Sequence, residues 1–133
     1  MRKIARRYAL QVLYALDLNP DAEPVLGSTI TEKAEGADLD FAETLIRTVR
    51  EHREEIDQLI TSHLRKWSLS QLNAVDRNIL RIGMAELFFP LEGTPEKRII
   101  IDEAVDMAKV FGGETSYRFI NAILDTAAKE KNL

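Results

Sequence analysis

Apolar residues recur along most of this chain at intervals of three and four, and nowhere do they alternate with polar ones for the length of a strand, so the pattern predicts helices. In the first segment, MRKIARRYALQVLYAL, Ala5, Tyr8, Ala9, Val12 and Leu16 project to one side of a helix, and Lys3, Arg6, Arg7, Leu10, Gln11 and Tyr14 to the other. The stretch DLNPDAEPVLGSTITEKAEGAD is punctuated by Pro20, Pro24, Gly27 and Gly36 and reads as a long connection, with room for a short helix after Pro24. A helix capped by Asp38 or Asp40 then carries Phe41, Leu45 and Val49, and another carries Ile56, Leu59, Ile60, His63 and Leu64. After Trp67, Ser68 or Ser70 caps a long helix bearing Leu72, Val75, Ile79, Ile82 and Leu87, which ends before Pro90. A further helix from about Glu96 presents Ile101, Ala104, Val105 and Ala108 and leaves through a left-handed exit at Gly112 and Gly113. The last begins near Ser116 and turns Ile120, Ile123, Leu124 and Ala127 inward.

Six to seven short helices without an internal repeat predict an all-α fold: two small helical lobes, residues 1–66 and 67–133, forming one globular domain. A chain of 133 residues buries about two-thirds of the surface its unfolded form exposes, so it needs no covalent staple. It contains no cysteine, which removes thiolate nucleophiles, disulfides and Cys-ligated zinc and fits a reducing, cytoplasmic setting. No apolar run is long enough for a membrane span, and the basic start does not lead into a signal-peptide core.

Charge changes the picture at one place. The first 16 residues hold four basic side chains and no acidic one, so the whole-chain charge of -4 leaves -8 for everything after them. The first helix is a positive pole on an acidic body, and its polar side interleaves cations, an amide and an aromatic ring. Single-stranded RNA asks for that mixture, with cations for phosphates, amides for base edges and rings for stacking. A solvated cationic face with Tyr14 lying against a neighbouring helix explains the same pattern. A membrane-surface helix fits less well, because the polar side has only three cations and the apolar side is small.

Catalytic chemistry finds little support. The two histidines, His52 and His63, lie in no metal-binding spacing; His63 reads as packed at a helix interface and His52 as exposed, and no metal or cofactor is expected. Asp102, Glu103 and Asp106 cluster, but neighbours on a helix point about 100° apart, so Asp102 and Glu103 cannot converge on one substrate atom. They read as complements to a helix start, ion-paired with Arg77 or Arg81. The FGGET turn lacks the residues that make a phosphate-binding loop.

Three blocks in order, AVDRNILRIGMAEL, IIIDEAVDMAKVFGG and SYRFINAILD, resemble the NusB family of transcription antitermination factors. The first helix supplies the signature R-x-x-A-x-Q-x-L-Y as Arg6, Ala9, Gln11, Leu13 and Tyr14, and the resemblance covers nearly all of the chain outside residues 20–38. It implies a bacterial, all-helical, non-catalytic RNA-binding adaptor. Such a protein pairs with a ribosomal protein, NusE, binds boxA RNA in nascent transcripts, notably of ribosomal RNA operons, and helps the elongation complex with RNA polymerase to pass terminators.

Carried onto this sequence, the resemblance offers Arg2, Lys3, Arg6, Arg7, Tyr14 and Phe119 to RNA; Arg118 is added for its place beside Phe119. The cations would make affinity salt-dependent, and Tyr14 and Phe119 would supply stacking worth about 1–3 kcal/mol per base. Asp76 and Arg77 fall in the region facing NusE, with Asp76 favoured for partner contact, Arg81 and Glu86 for internal pairing, and Asn121 for backbone hydrogen bonds. Against the family pattern, the basic arm is short, Arg7 occupies a variable position, and Glu114 and Thr115 precede the last helix. Monomer and homodimer are both compatible with one sequence. The alternatives are a helical protein-interaction adaptor that makes no use of RNA, and the related RNA-binding domain of ribosomal RNA cytosine methyltransferases, which would need a catalytic domain that this sequence does not include.

Overall fold

In a computed structural model, residues 2–20 and 34–131 are described, and among them lie six α-helices and no strand. The helices are α1 (Lys3–Leu18), α2 (Gly36–Glu51), α3 (Arg53–Thr61), α4 (Ala74–Phe88), α5 (Lys97–Phe111) and α6 (Ser116–Glu130), with a 3-10 turn at Leu69–Gln71. The helix expected after Pro24 falls outside the described residues. No described helix is long and apolar enough to cross a membrane.

α4 is the centre of the fold. α1, α2 and α3 pack against it from one side of the chain order, α5 and α6 from the other, and one apolar cluster draws residues from all six helices. Every residue from Asn78 to Leu87 is therefore buried, polar ones included. Those polar groups are each answered by a different element. Glu86 receives Arg6 of α1, Asn78 donates to Asp17 at the end of α1, Arg81 donates to Asp57 of α3, and Asp76 accepts from Ser116 at the start of α6. A buried charge without a partner is costly, so these pairs specify how each neighbour is set against α4. The internal pairing expected of Arg81 and Glu86 is present.

Glycine sets the closest approach. A methyl group at Gly83 of α4 would lie 2.7 Å from a methyl carbon of buried Leu124, so the Leu124 side chain of α6 takes this seat only because position 83 has no side chain. Gly112 ends α5 where expected, but with extended dihedrals (φ -89°, ψ -175°) rather than left-handed ones. A Cβ there would stand 2.7 Å from the Ala108 carbonyl oxygen and 2.9 Å from the Ser116 Cβ, so the glycine is required by the tight α5–α6 corner.

Other boundaries differ from the sequence reading. α4 is capped by Asn73, whose side chain accepts from the Asp76 amide at 2.8 Å, while Ser68 forms a capping box with Gln71 around the 3-10 turn. Extended Leu72 separates the two. α2 begins at Gly36, ahead of both aspartates expected to cap it. His52 is half-buried rather than exposed, stacked on Phe89 with ring centroids 4.0 Å apart. His63 is packed at a helix interface as expected, between the Leu59 carbonyl and Glu130 of α6. Asn121 is exposed and does not serve the packed end of α6.

Candidate nucleic-acid interface and partner surface

α1 packs simultaneously on α2 and α4, so its buried arc is wide and takes in Ala5, Arg6, Ala9, Leu10, Val12 and Leu13. This corrects the projected faces at Arg6 and Leu10. Arg6 is 1% exposed, and its Nε and Nη2 each donate to a Glu86 carboxylate oxygen at 2.8 Å, the two-pronged geometry that suits a planar guanidinium. Its position over the Phe41 ring, 5.6 Å from the centroid, completes a buried seat. Arg6 is an internal bolt between α1 and α4, not an outward cation.

What α1 presents outward is narrower. Lys3 and Tyr14 are exposed and Arg7 is half-buried, and their spacings of four and seven put them on one stripe with Ile4, Gln11 and Leu18 alongside. Arg2, in a left-handed conformation at the helix start (φ 56°), turns aside to α2, lying 4.4 Å from the Phe41 ring centroid with Nη1 donating to the Ala37 carbonyl at 3.4 Å.

The stripe continues across the molecule through Arg7, whose guanidinium stands over Phe111 at the end of α5, 5.6 Å from the ring centroid. At the same α5–α6 corner, exposed Lys109 and Arg118 flank the Tyr117 ring at 5.2 and 5.5 Å, and Arg118 Nε donates to the Tyr117 hydroxyl at 3.0 Å. Phe119 is half-buried against the core cluster. The structure thus joins Lys3, Arg7, Tyr14 and Arg118 to three residues that sequence reasoning passed over, Lys109, Phe111 and Tyr117. Two cations and two rings within KVFGGETSYR were visible, but the corner at Gly112 hides which of them meet.

A second surface lies at the start of α4. Asp76 Oδ2 accepts from Ser116 Oγ and Asn73 Nδ2, both at 3.0 Å, while its Oδ1 is buried with no hydrogen-bond partner among the described residues. Arg77 is turned inward: Nε and Nη2 grip Asp17 at 2.8 and 2.7 Å, and Nη1 donates to the Leu69 and Leu72 carbonyls. The pairing expected of Arg77 or Arg81 with Asp102, Glu103 or Asp106 is replaced by Asp17 and Asp57, because the last turn of α1 and α3 reach α4 on that face. Burial alone would raise the Asp17 carboxyl. Hydrogen bonds from Arg77 and Asn78, with the charges of Arg81 and Arg77, outweigh it and hold the group below its ordinary value. Among the described residues no three His, Cys, Asp or Glu side chains are grouped to hold a metal ion.

The NusB family model matches residues 3–129. Among curated proteins, the transcription antitermination protein NusB of Geobacter sulfurreducens is 42% identical over 96% of this chain and 93% of its own length. Among solved structures, T. maritima NusB superposes with a TM-score of 0.86 at 36% identity, covering 98% of this chain and 92% of that one. A structure of antitermination factors NusB and NusE in complex with double-stranded RNA superposes with a TM-score of 0.83 at 33% identity, covering 97% and 96%.

Proposed function

The chain belongs to the NusB family, and from that premise we propose that it is a transcription antitermination factor that binds boxA RNA of nascent transcripts, notably from ribosomal RNA operons, together with the ribosomal protein NusE. The observation that carries the reading is the outward stripe Lys3–Arg7–Tyr14 meeting the cation–ring cluster of Lys109, Phe111, Tyr117 and Arg118. A backbone laid along it meets separated positive charges for phosphates and rings on which unpaired bases stack. Arg2 and Phe119 flank this path; Arg6 supports it from beneath.

Asp76 is the residue we assign to NusE, from its place in the first turn of α4 beside the start of α6. Arg77 acts there by fixing the end of α1 and the 3-10 turn. Residues 1–66 and 67–133 serve as the two lobes, and the assembled complex acts in the cytoplasm on RNA polymerase.

The test is fluorescence anisotropy of a boxA-type RNA and a scrambled control, with and without NusE, at two salt concentrations. The expected result is selective binding that tightens with NusE and weakens with salt, and that is reduced at least ten-fold by Lys3→Glu with Arg7→Glu at unchanged helix content. Asp76→Asn is expected to weaken NusE binding while leaving RNA binding by the isolated protein intact. Equal, weak binding of both RNAs with no response to NusE would leave a helical protein adaptor with a solvated basic face.

A further inference from the structure

We propose that Arg65, Lys66 and Trp67, on the connection between α3 and the 3-10 turn, form a second single-stranded RNA contact in which a base flanking the segment held by α1 stacks on Trp67. The inference rests on the RNA-binding function proposed above. Trp67 is 57% exposed, the opposite of what its large apolar ring favours. It is also not loosely hung. Leu64 before it and Leu69 after it both pack against the core, and the Ser68–Gln71 capping box closes the turn directly behind it. An aromatic ring held in solvent by anchors on both sides is a ready platform. Arg65 and Lys66 are exposed and form no ion pair or hydrogen bond among the described residues, so both charges are available to phosphates on either side of a stacked base.

The position extends the proposed RNA path. Arg65 lines a cleft with Ala122, Thr126 and Glu130 of α6, and Ala122 lies one turn beyond Arg118, about 6 Å along the helix. A strand leaving Arg118 along α6 therefore arrives at Arg65, two residues before Trp67. Of the acidic groups on the way, Asp125 is paired with Lys129 at 3.0 Å, and Glu130 is hydrogen-bonded to the His63 ring at 2.7 Å.

Trp67 is the only tryptophan in the chain, so its emission reports this site alone. The experiment titrates the full protein with a short boxA-type RNA and with the same RNA extended at each end in turn by an unstructured pyrimidine run. Anisotropy of the labelled RNA and Trp67 emission are read together. The expected result is that one extended RNA binds at least about five-fold tighter than the short one and quenches Trp67, which the short RNA does not. Trp67→Ala, and separately Arg65→Ala with Lys66→Ala, should reduce the extended RNA to the affinity of the short one, with Trp67→Tyr retaining most of the gain. Saturated anisotropy with unchanged emission and no gain from either extension would overturn the contact while leaving the α1 site standing. A change in Trp67 emission on adding NusE alone would overturn it in favour of a protein contact. Failure of every RNA to bind would overturn the function proposed above and this inference with it.

Discussion

Replacing Arg6 by methionine should destabilise the fold by about 3–5 kcal/mol, because it leaves the Glu86 carboxylate, itself 1% exposed, without its cation. Two charge-assisted hydrogen bonds of 2.8 Å are lost at once, in a buried seat beside the Phe41 ring. Total stability of a domain this size is about 5–15 kcal/mol, so the single variant gives up a large fraction of it. The paired variant Arg6→Met with Glu86→Leu removes both charges and keeps side-chain volume close to that of the pair. It should recover most of the loss, since exchanging a buried ion pair for apolar packing is often neutral or better. Urea denaturation followed by far-ultraviolet circular dichroism measures all four corners of this cycle, and the coupling energy should exceed about 2 kcal/mol. Loss of less than about 1 kcal/mol on Arg6→Met, accompanied by loss of RNA affinity, would refute the burial argument and return Arg6 to the RNA face.

Gly83→Ala should cost about 1–3 kcal/mol in the same denaturation assay, since the new methyl group meets the buried Leu124 side chain at 2.7 Å, and that side chain or α6 must shift to admit it. Asn73→Ala should cost about 1 kcal/mol by removing the cap of α4 and should also release Asp76, which Asn73 holds at 3.0 Å; weakened NusE binding is the second readout. The carboxyl of Asp17 is held below its ordinary value of 3.8, so its stabilising contribution is complete above that pH and disappears as the pH falls through the lower, folded-state value. Asp17→Asn should therefore lower stability at neutral pH and flatten the acid limb of the stability profile below pH 3.8, as read by thermal melts across pH.

The helices themselves were legible because apolar spacing of three and four is a local property, and α4, α5 and α6 begin and end near the expected residues. Caps were less so. Ser68, Ser70 and Asn73 are all able to cap, and only the intervening 3-10 turn decides that Ser68 closes the turn and Asn73 starts α4. The charges of α1 were the least legible. A helical projection sends every arginine outward, but Arg6 has its partner 80 residues away on α4, and nothing within the first helix announces Glu86. Arg77 and Arg81 were read as pairing with the wrong acids for the same reason: the choice between Asp17, Asp57 and the α5 carboxylates depends on which helix reaches which face of α4. Lys3, Arg7 and Tyr14 needed only the period of a helix to be placed together, whereas Lys109, Phe111 and Tyr117 needed the corner at Gly112.

The two uses of α1 lie one residue apart, and this decides how the RNA surface must be probed. Arg6 and Arg7 are adjacent in sequence yet lie about 100° apart around the helix, one clamped on Glu86 and the other standing over Phe111 at the margin of the surface. Reversing both together would confound unfolding with loss of phosphate contacts. Reversing Lys3 and Arg7 alone removes surface charge while Arg6 near the start and Asp17 at the end keep α1 fixed on α4, two anchors about 16 Å apart along the helix axis. A helix held at both ends is already ordered before RNA arrives, so little of the binding free energy is lost to ordering the protein. The same α4 that carries Glu86, Arg77 and Asn78 carries Asp76 in its first turn. An effect of NusE on RNA affinity is then expected to come from contacts that NusE adds beside the stripe, with α1 staying where α4 holds it. The double variant Arg6→Met with Glu86→Leu separates the two origins: the NusE-dependent gain in RNA affinity should survive it, and loss of that gain at retained stability would mean that the coupling runs through the α1–α4 bolt.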